Sequence, residues 1–221
     1  MLNKPRNAYL EALIPILDNS GRTSSVLLIR HAERSGRSTE STSSESTLTE
    51  AGIASSIAFG QALEDYSFQK VISSPIPRCV QTGEMIIKGL GMSNIVLETD
   101  TVLGDPGCYV LDRQLCAKRI DAIGIKPLLH EYISNGTSPG LRSLETGSKL
   151  LLGSITKQLD NAKGMTIMIS HDAIIIPFIA HFLGYNFNDS EWLEYLQGPL
   201  VLGDEKELQI HFKGMMKKIS G

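Results

Sequence analysis

The chain has 221 residues, 42% hydrophobic and 20% charged, enough for one α/β domain with a substantial core. A net charge of −3 without a long basic run gives nucleic-acid binding no electrostatic support. Three cysteines, Cys79, Cys108 and Cys116, form an odd set without framework spacing, which argues against a disulfide-stapled scaffold and fits a reducing compartment.

The first 20 residues carry Lys4, Arg6, Glu11 and Asp18 and lack the continuous apolar core of a signal peptide. No stretch approaches the roughly 18–20 apolar residues of a membrane span, so a cytoplasmic protein without membrane contact is expected. Leu10, Leu13, Ile14 and Leu17 recur at helical spacing and predict an amphipathic helix over 3–18, interrupted near Pro15. Ser25 to Arg30 is a short, continuous aliphatic run, the pattern of a strand buried on both faces. It ends in Arg30-His31, with Arg34 close behind. Residues 35–47 are rich in Ser and Thr, nearly without apolar side chains, and predict a flexible loop. Thr49 caps a helix whose apolar face is Ile53, Ile57, Phe59 and Leu63.

Lys70 to Ser74 reads as a second strand, followed by Pro75, Pro77 and Arg78 at a helix start. Asn94 to Glu98 is a third strand. Between 99 and 142 glycines and prolines break the chain into loops and two short helices, near 113–123 and 126–134. This insertion is expected to shape substrate choice, with Tyr109, Asp112, Arg113, Lys118 and Arg119 as candidate lining residues. Ser143 caps a long helix. Met165 to Ser170 is another buried strand, ending at His171-Asp172 and followed by a helix over 173–183. Trp192 to Leu196 reads as a short helix, and 199–202 with 207–212 as an antiparallel hairpin at the sheet edge. The whole is expected to be a single α/β domain over 1–221, a mostly parallel sheet with helices on both faces.

Ligands in such sheets bind beyond the carboxyl ends of the strands. Three strand ends here carry polar residues that a core does not need: Arg30-His31 with Arg34, then Arg78, then His171-Asp172. Several arginines and histidines in one pocket repel one another unless an anion sits among them, and guanidinium forks suit phosphate oxygens. Histidine, with a reference pKa near 6.5, is a competent phosphoryl nucleophile when neutral. The residues therefore describe an oxyanion pocket with a histidine aimed at phosphorus and no obvious metal or cofactor site. A metal-binding His-Asp pair needs further ligands at helical spacing, which His130, His181 and His211 do not supply. No cysteine has an arginine six residues on, as a cysteine phosphatase requires.

The segments LLIRHAER, LTEAG, VISSPIPRCVQT and MISHDAIIIPFIAHFLG, in this order over about 25–185, resemble the histidine phosphatase superfamily, the phosphoglycerate mutase-like proteins and histidine acid phosphatases. That resemblance implies that His31 becomes phosphohistidine while Arg30, Arg78 and His171 hold the transferring group. It implies a further phosphate contact from Arg34, as in the acid-phosphatase branch, with Ala32 replacing that branch's glycine. The general acid is implied at Asp172 by one branch and at Asp105 by the other, and Asp172 is the preferred reading. Read as residues alone, Asp172 is a possible helix cap and Asp105 a turn residue. The expected activity is metal-independent hydrolysis of phosphomonoesters, the partner a small phosphorylated substrate or a phosphoprotein. A mutase-like phosphotransferase and a non-catalytic phosphate-recognising regulator are the alternatives.

Overall fold

Alternation along the central strand sorts the core into two layers. In β1 (Ser25–Arg30), Leu27 and Ile29 enter one hydrophobic cluster while Val26 and Leu28 enter the other. The first cluster is closed by α1 (Ala8–Asn19), α2 (Glu50–Ala62) and α3 (Pro77–Leu90), through Leu10, Phe59 and Ile86. The second is closed by α5 (Ile125–Asn135), α6 (Leu144–Leu159) and α7 (Asp172–Leu183), through Tyr132, Leu151 and Phe178. The remaining helix, α4 (Arg113–Ile123), lies outside and buries only Cys116. The computed structural model describes residues 8–20, 24–35, 46–159, 164–188, 190–204 and 207–220.

One seven-stranded sheet runs β3 (Leu97–Thr99), β2 (Phe68–Ser73), β4 (Met165–Ser170), β1, β5 (Leu200–Gly203), β6 (Glu207–Phe212) and β7 (Met215–Ser220). The first four are parallel and the last three antiparallel. Two registers matter for the site. Arg30 lies opposite Ser170, and Ser73 lies opposite Ile169, so β2, β4 and β1 end level with one another.

The architecture is the single-domain α/β fold that the sequence predicts, and α4 and α5 fall within a residue of their expected bounds. Five details differ. α1 runs unbroken through Pro15, because burial of Tyr9, Leu10, Leu13 and Leu17 offsets the lost hydrogen bond. The buried face of α2 is Gly52, Ser56, Phe59 and Gly60, and Ile53 is exposed. Small residues are needed there because α3 sits close, with the Ile86 carbonyl against Gly60. β3 starts three residues later than expected and is short. The segment from Trp192 to Leu196 is not helical; its backbone instead bonds to β1, Leu196 N–H donating to Arg30 O at 3.0 Å. Finally, β6 is not the sheet edge. β7 pairs outside it and carries Lys217 and Lys218, charges that discourage further strand pairing.

Most of the expected flexible loop, residues 36–45, lies outside the described residues, as do residues 3–7 of the expected first helix. Among the described residues no helix is long and apolar enough to cross a membrane.

Candidate active site

The parallel pairing of β1 with β4 sets two histidines side by side. His31 N–H donates to Ser170 O at 2.9 Å, and the two imidazoles meet edge to face with centroids 5.4 Å apart. Both are buried, at 2% and 8% exposure. β2 ends beside them, and Pro77 opens α3 so that Arg78 lies in its first turn. Arg78 spans the pair: Nε donates to His31 Nε2 at 3.0 Å, and Nη2 reaches His171 Nδ1 at 3.1 Å.

A guanidinium can only donate, so both of those ring nitrogens accept. His31 Nδ1 therefore carries its proton and donates it to Ala32 O at 2.8 Å. This leaves the Nε2 lone pair facing the arginine. Ala32 is in turn fixed, its N–H donating to Thr82 Oγ1 at 3.1 Å. Burial, then the neighbouring His171 and Arg78, holds His31 well below the usual imidazole pKa. Burial and Arg78 push His171 down to about 3. Both rings are neutral at pH 7.

Arg30 enters from the end of β1. Its Nη2 pairs with Asp172 Oδ2 at 2.9 Å, its Nη1 donates to Leu193 O, and its guanidinium stacks on Tyr195 at 4.4 Å. Arg30 Nε is buried without a hydrogen-bond partner among the described residues, an unused donor. Arg34 pairs its backbone with Leu48 and donates from Nη1 to Ser46 Oγ at 3.3 Å. Its charge contributes to lowering the pKa values of Arg78 and His171.

The two carboxyl groups stand in different surroundings. Asp172 accepts from Arg30 and, at 3.0 Å, from the Trp192 indole N–H, while its other oxygen bonds Ala173 N–H. Burial pushes its pKa up, but Arg30, Trp192 and the two histidines outweigh burial and hold it at about 2. Asp105 is exposed and ion-paired with Arg113. It follows Gly104, where a Cβ would come within 2.7 Å of His171 Nε2, so the chain passes directly over the ring before reaching Asp105.

Other candidate lining residues do different work. Tyr109 is buried and bonded to Ser148, Asp112 caps α4, and Arg119 pairs with Glu131. Sequence reasoning passed over Ser74, Cys79, Thr82 and Tyr195. Ser74 Oγ lies 3.0 Å from His171 Nε2, Cys79 Sγ lies 3.6 Å from the same nitrogen, and the Tyr195 ring is 5.8 Å from His31. Ser73-Ser74-Pro75, where β2 stops, is the one signal in the sequence for any of them, a hydroxyl just past a buried strand. Among the described residues no group of three or more His, Cys, Asp or Glu is placed to hold a metal ion.

Residues 26–103 match the histidine phosphatase superfamily, branch 1. The matched segment contains Arg30, His31, Arg34 and Arg78; Asp105, His171 and Asp172 lie beyond it. No curated protein sequence matches the chain. Among solved structures, the fold is shared with YhfR of Bacillus stearothermophilus (TM-score 0.60, 16% identity, 90% of this chain and 96% of that one). It is shared also with a phosphoglycerate mutase from Bacillus anthracis (0.56, 16%, 90% and 92%). A mycobacterial glucosyl-3-phosphoglycerate phosphatase is a third such neighbour (0.55, 14%, 89% and 97%). The fold thus has both a mutase and a phosphatase among its structural neighbours here.

Proposed function

We propose that the protein is a phosphatase that hydrolyses phosphomonoesters, small molecules or phosphoproteins, through a phosphohistidine at His31 and without a metal. The observation that carries this is the bridge of Arg78 across two buried neutral histidines, one of which has its Nδ1 proton tied to a backbone carbonyl. Such a ring can present only Nε2 as a nucleophile, and it does so against the donors of Arg78.

In the first step Arg78 turns its N–H groups from the imidazoles to the phosphoryl oxygens, joined by Arg30 Nε and Arg34. The His31 Nε2 lone pair attacks phosphorus, the N–P bond forms, and the P–O bond to the leaving group breaks. The leaving oxygen takes a proton from a carboxylic acid. In the second step water attacks phosphorus, the N–P bond breaks, and the same carboxylate accepts the water proton.

Asp105 is the better candidate for that acid. Asp172 is held ionised by Arg30 and Trp192, which suits it to fixing Arg30 rather than giving up a proton at neutral pH. Asp105 follows the turn that passes over the His171 ring, and its ion pair with Arg113 is exposed, so solvent screens that guanidinium as it does not screen Arg30 at Asp172.

The test is hydrolysis of p-nitrophenyl phosphate in EDTA. Activity should persist with chelator, be blocked by vanadate, and disappear in His31→Ala. Activity that needs a divalent metal and survives loss of His31 would overturn the reading.

A further inference from the structure

The hydroxyl of Ser74 lies under His171 in a place no solvent reaches. Ser74 is fully buried at the end of β2, its N–H donates to Ile169 O at 2.9 Å, and its Oγ accepts from Ile76 N–H at 3.3 Å. Because Arg78 donates to His171 Nδ1, the ring proton is on Nε2, and Nε2–H donates to Ser74 Oγ at 3.0 Å. A second observation shows that this pair is enclosed. A Cβ on Gly104 would come within 2.6 Å of Ser74 Oγ and 2.7 Å of His171 Nε2, so the chain closes down on both atoms and leaves no room for water to replace the hydroxyl. The other group near Nε2 is the Cys79 sulfur at 3.6 Å, a weak acceptor.

We propose that Ser74 is the positioning residue for His171: by accepting the Nε2 proton it aims Nδ1 at the transferring phosphoryl group and supports the imidazolium formed there. The step balances. A monoester binds as its monoanion, whose second pKa is near 6, and passes its proton to Nδ1. The ester becomes the dianion, and Nδ1–H then donates to a phosphoryl oxygen. Ser74 accepts from Nε2 before and after, so it strengthens its bond only when the ring becomes charged. The free ring resists protonation, being buried and faced by Arg78, Arg30 and Arg34, with Asp172 opposing them; His31 lies alongside, and Cys79 from α3 is buried against the ring. The bound dianion reverses that balance locally. The inference rests on the phosphatase reading above but is testable apart from it.

The experiment compares wild type with Ser74→Ala. Turnover of p-nitrophenyl phosphate should fall by about 10- to 100-fold, the worth of a hydrogen bond to a charged group. The alkaline limb of the kcat profile should move to lower pH by about one unit or more. A fall in kcat without that movement marks a structural role and overturns the proposal, as does unchanged kcat. Independently of turnover, ¹⁵N NMR of wild-type protein should show His171 protonated at Nε2 alone when free and at both nitrogens with inorganic phosphate. A free-state proton on Nδ1, or no second proton with phosphate bound, overturns the proposal even if Ser74→Ala fails to fold. Wild type without hydrolytic activity would instead remove the phosphatase reading, leaving the spectroscopic result to decide on Ser74.

Discussion

Asp172 and Arg30 meet at 2.9 Å, the first residue of α7 pairing with the last of β1. The Trp192 indole closes on the same carboxylate oxygen, and Arg30 is further sandwiched by Tyr195. A guanidinium gripped on these sides is fixed in place, which makes Asp172 a positioning residue for Arg30. Asp172→Asn should therefore lower kcat/KM by a similar factor, on the order of 10², for aryl and alkyl phosphates alike. Measuring the two substrate classes side by side checks this. A defect that deepens as the leaving group becomes more basic would return the acid role to Asp172. The same comparison on Asp105→Asn should show that deepening.

Arg78 donates through two different nitrogens to two different rings, a fork that an ammonium on a flexible stem does not reproduce. Arg78→Lys is expected to cost about 10²–10³ in kcat, the range for loss of a preorganised donor to a transferring anion. Vanadate inhibition should weaken in parallel, because vanadate would rest on the same fork. Near-normal kcat in Arg78→Lys would show that charge alone suffices.

Much of this site was legible in the sequence because buried parallel strands are written as unbroken aliphatic runs. Polar residues at the ends of three such runs stand out, and the ladder brings His31 beside His171. What was not legible depends on residues far apart in the chain. Nothing local to His171-Asp172 says that Trp192, twenty positions on, will bond the carboxylate and fix its charge. Trp192 to Leu196 carries apolar residues at a spacing that suits a helix, yet its backbone is used to flank β1. β7 was missed because Lys217 and Lys218 make an exposed edge strand read as a polar tail.

The two histidines also tie stability to pH. Each has a folded pKa below the usual 6.5, so the unfolded chain takes up protons that the fold refuses. Their stability contribution is intact above about pH 6.5 and is lost as pH falls below it, for His171 down toward about 3. Asp172 acts lower, keeping its contribution above the usual carboxylate pKa of 3.8 and losing it as pH falls toward about 2. The urea midpoint should therefore decline from about pH 6.5 downward before any carboxylate titrates. Inorganic phosphate should reduce this decline by pairing with the charged rings, and His171→Gln should flatten it. A midpoint constant between about pH 6.5 and 5 would contradict the neutral state of both rings.

Gly52 links the helix after the site to the loop that carries it. Thr49 caps α2 by accepting from Gly52 N–H at 2.9 Å, and Thr49 N–H donates to Glu33 O at 3.1 Å. A Cβ at Gly52 would lie 2.1 Å from that same Glu33 oxygen, which is backbone and cannot swing away. Gly52→Ala must therefore push α2 off the turn between Ala32 and Arg34. Overpacking of this kind costs about 1–3 kcal/mol, which in a chain of this size lowers Tm by several degrees. Because the displaced turn also carries the carbonyl of Ala32, the His31 Nδ1 bond should loosen with it, and kcat should fall more than KM rises. Ala51→Gly, one position away on the exposed side, serves as the control: it should cost about 1 kcal/mol in helix propensity and leave kcat unchanged. If Gly52→Ala lowers Tm but keeps full turnover, the cap and His31 are mechanically independent.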